Sequence, residues 1–450
     1  MMNKKVLLIT PPYHSGVVEA AGAWLNLGFV YIAGSLRSAG YDVQIYDAMS
    51  YFHDYAEIGK KIEEYKPDAV ALTAITASVN ECLKVCNLVK EINRTTVTIL
   101  GNVHPTFCWE EILGEQNGVD YIVRGEGEIT LPELLTCHFL KGDLSKVKGI
   151  IFRSGNKAAA TPSREFIKDL DALPLAWDLV DWKIYSYRPV VNSVLAIVSS
   201  SRGCSQQCSF CSQQLFWDRK WRARSPENFV SGRNLGIDLL METRVEDILR
   251  DRDLLHKYRK AGIVHIYAGV EAVRQESLDK FKKNLRIEDS RSAIELINQH
   301  DIVSETSFVL GVRDETPESI ERTLELAKLY APDMAFFLAI APWPYADLYK
   351  ELEPYITTKD YSKYNLVEPV VKPVGMTIEQ VRHCLLQSTK HFYMDKLKKI
   401  DGMSPFKKEF MLSVMKLLIE HSYLSREIKG AIPPEVKGYL KGLNLMSPIP

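Results

Sequence analysis

Residues 199–211 read Ser199-Ser200-Ser201-Arg202-Gly203-Cys204-Ser205-Gln206-Gln207-Cys208-Ser209-Phe210-Cys211, and this stretch organises the rest of the chain. The apolar run Leu195–Ser199 predicts a strand that leads directly into a Cys-x3-Cys-x2-Cys loop. Three thiolates on one loop can hold three irons of a [4Fe–4S] cube and leave the fourth iron without a protein ligand. An open iron is what a cluster needs to bind a substrate and pass it an electron. A structural zinc site would want four ligands, usually as two paired motifs, and no second pair is present. A ferredoxin site would want a fourth cysteine nearby, and the next one is Cys384. Plain burial is a poor account of three thiols on one loop. The other cysteines (Cys82, Cys86, Cys108, Cys137, Cys384) are scattered, too sparse for a disulfide scaffold.

Composition bounds the function class. The 450 residues are 46% hydrophobic, 25% charged and 10% aromatic, enough for about three domains or one long barrel with attachments. That balance excludes a wholly disordered or collagen-like chain. Lys plus Arg is 56 and Asp plus Glu is 57, so there is no basic excess of the kind that accompanies nucleic acid or anionic lipid. No apolar run approaches the roughly 20 residues of a transmembrane helix. The basic opening before Val6–Ile9 has too short an apolar stretch for a secretory signal, so a cytoplasmic location is expected.

The first 130 residues alternate short apolar runs with amphipathic helical patterns, which predicts a doubly wound parallel sheet. Strands are expected at Val6–Thr10, Val43–Tyr46, Ala69–Ala74, Val97–Leu100 and Tyr121–Val123, with helices such as Leu27–Ala39 and Ala56–Tyr65 between them. Ligands of such sheets sit at the carboxyl ends of the strands. The loops there are Thr10–Tyr13, Thr73–Thr76, Gly101–Thr106 and Arg124–Glu128, rich in Gly and small polar residues that let a ligand approach the backbone. A connector follows, with a short strand at Lys148–Phe152. A second strand–helix rhythm has strands near Leu195–Ser199, Ile237–Glu242, Ile263–Gly269, Glu305–Leu310 and Met334–Ile340, which suggests a full or partial (β/α)6 barrel. Beyond Tyr345 the pattern is mostly helical, with apolar faces at Val381–Leu386 and Phe410–Leu418. The expected division is 1–145, a linker at 146–190, a barrel at 191–345 and a helical region at 346–450. No internal repeat or low-complexity segment is present.

The Cx3Cx2C spacing after a first barrel strand, with Phe210 before the last cysteine, resembles the radical S-adenosylmethionine (SAM) superfamily. Gly269-Val270-Glu271 resembles its fourth-strand segment against the bound SAM. Phe308-Val309-Leu310-Gly311-Val312 with Glu315-Thr316 resembles the fifth strand and its adenine-side loop. Met241-Glu242-Thr243-Arg244 resembles the third strand. The resemblance implies that Cys204, Cys208 and Cys211 ligate the cluster and that Phe210, Glu242, Arg244, Gly269, Glu271 and Gly311 contact SAM. Glu271 or Arg244 taken singly reads equally well as a solvated strand end.

In this superfamily a five-stranded domain ahead of the barrel resembles the cobalamin-binding domain. Pro11-Pro12, Leu27–Leu36, Gly101–Thr106 and Tyr121–Glu128 match it in order. The resemblance implies cobalamin contacts from Pro11, Tyr13, Thr73, Thr76, Gly101, Asn102, Val103, His104, Arg124, Gly125, Glu126 and Gly127. A corrin is wide and flat and would lie across the strand ends, its nucleotide tail in the crevice beside the Thr73–Thr76 and Gly101–Thr106 loops. Corrinoid carriers that supply a histidine to cobalt do so from a DxHxxG segment. The corresponding Thr10–Gly16 lacks the Asp and the spacing, so no protein nitrogen is expected on cobalt, with His14 or His104 as the remaining candidates. The bland alternative is a flavodoxin-like partner domain without a cofactor.

Ala341–Tyr349, Asp360–Val367, Gly101–His104 and His391–Met394 resemble the anaerobic magnesium-protoporphyrin IX monomethyl ester oxidative cyclases, over about residues 5 to 400. The resemblance implies a 5′-deoxyadenosyl radical that takes a hydrogen from a tetrapyrrole side chain. It also implies substrate contacts from Trp343 and Tyr345 and an external electron donor such as flavodoxin or ferredoxin. Trp343 and Tyr364 read equally as core aromatics. The alternatives are a cobalamin-dependent radical SAM methyltransferase and a non-enzymatic corrinoid or iron–sulfur sensor. The barrel is also short. Only residues 212–236 separate the cysteines from the strand at Ile237, with Gln213–Arg224 read as extended cluster loop, and a βαβ unit takes upward of about 30 residues. One strand–helix unit is therefore expected to be missing near 230–236, together with the acidic residues that would hold the SAM amino group. This is either a true internal deletion or residues missing from the recorded chain; a mass well above 51.1 kDa would show the latter.

Overall fold

A computed structural model of the chain describes residues 4–15, 22–114, 118–155, 157–229 and 236–421. The N-terminal sheet grows outward from β1 (Lys5–Thr10), whose continuous apolar run Val6–Ile9 is buried on both faces. Parallel to it lie β2 (Asp42–Asp47), β3 (Ala69–Thr73), β4 (Val97–Gly101) and β5 (Tyr121–Val123). Helices α1 (Leu27–Ser38), α2 (Tyr55–Tyr65), α3 (Val79–Ile92), the short α4 (Val103–Phe107) and α5 (Gly127–Phe139) occupy the crossovers. Two apolar layers result, one on each face of the sheet. The local stops match the chemistry of the sequence. Gly40 takes φ +85° after α1, and Lys66 closes α2 at φ 53° ahead of Pro67. Asp54 and Glu57 form a capping box at the start of α2.

The sheet is larger than the five strands expected. β6 (Ile150–Ser154) and β7 (Lys157–Ala160), from the stretch read as a connector, add antiparallel at the edge and give the order β2-β1-β3-β4-β5-β6-β7. Ile150 and Ile151 are fully buried and need a partner surface, which the open edge of β5 provides.

The second half differs from expectation at its start. Leu195–Ser199 makes no sheet pairing. The first element there is a hairpin of β8 (Ser201–Gly203), just ahead of the cysteines, and β9 (Trp221–Ala223), within the Gln213–Arg224 stretch read as an extended cluster loop. The barrel sheet has four parallel strands, β10 (Leu239–Arg244), β11 (Ile263–Gly269), β12 (Val303–Leu310) and β13 (Met334–Ala339), in chain order. Ala268, Phe308 and Ala339 point to one face, against α6 (Val245–Arg250), α7 (Leu255–Lys260), α8 (Ile287–Gln299), α9 (Pro317–Tyr330) and α10 (Ile378–Lys398). The other face carries His265, Tyr267, Glu305 and Ser307 in alternation. Helix α11 (Pro405–His421) completes the core, anchored where Lys407 Nζ meets the buried Asp333 Oδ2 at 2.7 Å.

β10 is an edge. Leu240 on this strand is 38% exposed and Ile237, just ahead of it, 54%, and among the described residues no strand pairs with the outer side of β10. Of the expected join at 230–236, residues 230–235 lie outside the described residues.

Candidate functional site at the meeting of sheet and barrel

A cavity of about 480 Å³ opens where the carboxyl ends of β3, β4 and β5 face the β8–β9 hairpin. Phe29, Tyr31, Val123 and Leu131 make most of its wall apolar, and Thr73, Asn102, Glu126 and Arg202 give it a few polar points. Asn102, at φ 83°, donates from Nδ2 to Thr73 Oγ1 at 2.8 Å and caps α4 through its Oδ1. Gly125 needs its positive φ of 69° to turn from β5 into α5, and a Cβ there would meet open space. A mostly apolar crevice with convergent polar groups, at the strand ends of a doubly wound sheet, suits a large flat cofactor with a nucleotide arm.

Of the residues expected to hold that group, Thr73, Gly101, Asn102, Gly125, Glu126 and Gly127 line the cavity. Thr76, Val103 and His104 do not; they are buried beside it. His104 Nδ1 lies 3.1 Å from Thr76 Oγ1, and burial pulls its pKa down to about 4. Arg124 points to the Thr161 carbonyl, Pro11 is buried at the end of β1, and the Tyr13 hydroxyl donates to the Ser362 carbonyl at 3.0 Å.

The cysteine loop is held by its own middle. The Ser209 N–H donates to the Phe281 carbonyl at 2.8 Å, its hydroxyl to the Lys280 carbonyl at 2.9 Å, and its carbonyl accepts from the Leu348 N–H at 2.9 Å. Phe210 packs edge-on against Phe281 at 5.0 Å. Burial raises the Cys208 thiol to about 11, with Lys283 opposing and Cys211, Glu271 and Cys204 adding. Burial also raises Cys211, opposed by the backbone N–H groups of Gln213 and Gln214. The three thiols thus feel one another. A single tetrahedral ion would need them about 3.8 Å apart, given metal–sulfur bonds of about 2.3 Å. Among the described residues no group of three His, Cys, Asp or Glu side chains is set to hold one ion. A cluster differs from such a site in giving each of three cysteines an iron of its own.

Next to the cysteines, Glu271 sits at φ 67° after β11, its N–H bonded to the Ser307 carbonyl at 2.9 Å. Lys283 Nζ reaches Glu271 Oε1 at 2.9 Å and the Gly269 carbonyl at 2.7 Å. Tyr267 Oη lies 2.6 Å from Ser307 Oγ, and Glu242 stands beside Tyr267 in the β10–β11 register. Arg244 pairs with Asp247 at 3.3 Å, near enough to Cys204 to feel its charge. The Gly311 N–H, at φ +80°, donates to the buried Glu315 carboxylate at 3.2 Å. Trp343 is half-buried against the barrel core. Tyr345 faces the other way: its hydroxyl is 2.8 Å from Thr76 Oγ1, and its ring stacks on Phe107 at 5.0 Å.

Lys283, Arg202 and Glu128 are site residues that the sequence reading does not single out. Arg202 beside the first cysteine and the doubled Gly-Glu of 125–128 carry a usable signal, since opposite charges stand in two segments expected at one mouth. Lys283, twelve residues past Glu271 on a separate turn, carries none.

The B12 binding domain family matches residues 13–135 and the Radical SAM superfamily matches residues 233–327, beginning past the cysteine loop. The chain is 36% identical to the anaerobic magnesium-protoporphyrin IX monomethyl ester cyclase of Rubrivivax gelatinosus over 434 residues, covering 87% of this chain and 78% of the relative. An uncharacterized methyltransferase of Pyrococcus horikoshii is 27% identical, covering 88% of this chain and 93% of the relative. The fold is shared with the cobalamin-dependent S-adenosylmethionine radical enzyme OxsB, solved with aqua-cobalamin and S-adenosylmethionine bound. That likeness has a TM-score of 0.68 at 15% identity, over 98% of this chain and 75% of that one. With its B12 domain, its radical SAM sheet and a cyclase relative matched over most of its length, the chain belongs to the cobalamin-dependent radical SAM enzymes.

Proposed function

We propose that the chain carries out oxidative cyclisation of magnesium-protoporphyrin IX monomethyl ester or a related tetrapyrrole, drawing electrons from a flavodoxin- or ferredoxin-like donor. The observation that carries this reading is the 36% identity to a cyclase over 78% of that enzyme's length. Cys204, Cys208 and Cys211 are assigned to the cluster, and the cavity at β3–β5 to the nucleotide arm of cobalamin. When bound, the cluster supplies the electron that splits SAM to a 5′-deoxyadenosyl radical, and cobalamin supplies a second one-electron or methyl-carrying centre.

The chain's own residues do the positioning. Ser209 and Phe210 lock the cysteine loop to the turn at 280–281, which holds the three sulfurs in one orientation. Glu271 and Lys283 present one negative and one positive group side by side, complementary to the ammonium and carboxylate of the SAM amino acid end. Gly101 and Gly125 admit close approach at the strand ends, while Phe29, Tyr31 and Leu131 exclude water from the crevice. His104, buried and outside the cavity lining, supports a corrin without a protein nitrogen on cobalt. The bare edge of β10 supports a missing strand–helix unit, so Glu271 and Lys283 would carry more of the SAM contact here.

Methyl transfer is the second reading, favoured by the Pyrococcus relative. Anaerobic turnover with magnesium-protoporphyrin IX monomethyl ester separates the two. Cyclisation yields 5′-deoxyadenosine and a ring-closed product without S-adenosylhomocysteine. S-adenosylhomocysteine formed in step with a methylated product would replace the cyclase reading.

A further inference from the structure

We infer that Arg202 is a positioning residue that fixes the cysteine loop to the B12 domain and so sets the separation of cluster and corrin. The inference rests on the cofactor assignment above. Arg202 stands two residues before Cys204 on β8. Its Nη1 lies 2.8 Å from Glu126 Oε1 and its Nη2 2.6 Å from Glu128 Oε1. One planar fork therefore grips both carboxylates that flank Gly127 at the start of α5, in the wall of the cavity. The guanidinium also lies 4.8 Å over the Tyr31 ring. The arginine side chain is 11% exposed and each glutamate 5%, so solvent does not screen the contact.

The grip reaches the cysteine because the hairpin is stiff. Gly203, between Arg202 and Cys204, has φ +95°, and a Cβ there would stand 1.9 Å from the Lys220 carbonyl oxygen across the hairpin. Arg222, on β9, reaches Glu126 Oε2 at 3.0 Å, so both strands are tied to the same carboxylate. Glu126 also accepts from the Ile167 N–H at 2.7 Å. A carboxylate with Arg202, Arg222 and Ile167 on its two oxygens has little left for a ligand. Glu126, expected among the cobalamin contacts, instead joins the corrin domain to the cluster loop. Across the mouth, Thr76 and Tyr345 form a second fastening, so the two domains are pinned on either side of the β3–β5 strand ends.

The test is the relaxation enhancement of the cob(II)alamin electron spin by the reduced cluster, which reads their separation, on reconstituted full-length enzyme. The variant is Arg202→Met with Glu128→Gln, which removes one charge of each sign and leaves Glu126 on Arg222. Arg202→Lys is the second variant, because one ammonium cannot span both carboxylates. Arg291→Met, from the helical Arg291–Glu295 pair, is the control. Wild type and control should show one relaxation rate. The double variant should keep its iron, sulfide and cobalamin content and lose the single rate to a spread. Its product formation should fall by roughly 100-fold, the order seen for ångström-scale misplacement. Arg202→Lys should show the same spread in milder form. An unchanged single rate in both Arg202 variants, with cofactors bound, overturns the proposal alone. If the double variant loses its cofactors, Arg202→Lys decides: a spread supports the proposal, and the single wild-type rate overturns it. Wild type that binds no cobalamin overturns the cofactor assignment and this proposal with it, and is seen before any variant is made.

Discussion

The Tyr345 hydroxyl lies 2.8 Å from Thr76 Oγ1, joining the segment after the last barrel strand to the loop after β3 of the N-terminal sheet. Resemblance alone places Tyr345 against substrate. Its ring stacks on Phe107 and meets the His104 ring edge-on at 6.4 Å, which makes it part of the domain junction. Tyr345→Phe should therefore lower stability by about 1 kcal/mol, the usual worth of one hydrogen bond, in chemical denaturation. Substrate KM should stay unchanged. A raised KM with unchanged stability would return Tyr345 to the substrate site.

His104 gives the same junction a pH dependence. Burial pulls its pKa from 6.5 to about 4, so the folded state favours the neutral ring. The unfolded chain binds more protons between those values, so stability is full above about pH 6.5 and falls as pH drops towards 4. The loss attributable to this residue is about 3 kcal/mol at its limit. Denaturation of wild type and His104→Gln at pH 7 and pH 4.5 measures it. The gap between the two pH values should narrow in the variant; an equal gap would mean that His104 does not govern it.

Arg202 carries a stability prediction separate from its geometric one. Arg202→Met alone leaves Glu128 buried without a partner and should cost about 3–5 kcal/mol. Adding Glu128→Gln removes the stranded charge, so the double variant should be more stable than the single. A double variant less stable than the single would mean that Glu128 has another partner, and denaturation curves decide between them.

Lys283 bonds both Glu271 and the Gly269 carbonyl, beside the cysteines. Lys283→Met should weaken SAM binding to the reconstituted protein by roughly tenfold, the worth of one charged hydrogen bond. The iron content should hold. Equilibrium SAM binding is the measurement, and unchanged affinity would place the pair outside the SAM site.

Much of this is legible in the residues. β5 and β11 begin and end where their apolar runs do, at Tyr121–Val123 and Ile263–Gly269, because Gly and charged residues bound them. The cysteine spacing points to its chemistry because three thiols on one loop have few other uses. The exceptions are contacts between distant segments. Leu195–Ser199 has strand composition but no neighbour to pair with, and pairing is not a local property. Glu126 and His104 stand in segments correctly placed at the strand ends. Which way each side chain turns depends on Arg202 and Thr76, which sequence distance conceals.

The mechanism stands on one chain holding both an open cluster and a corrin across the β3–β5 strand ends. Anaerobic reconstitution followed by an iron, sulfide and cobalamin count measures both groups at once, with Cys208→Ala alongside. Wild type should carry four irons, four sulfides and one cobalamin per chain, as one [4Fe–4S] cube requires. Cys208→Ala should lose the iron and SAM cleavage while keeping cobalamin. A wild-type chain that binds neither iron nor cobalamin, or a Cys208→Ala chain that still produces 5′-deoxyadenosine, would contradict that assignment.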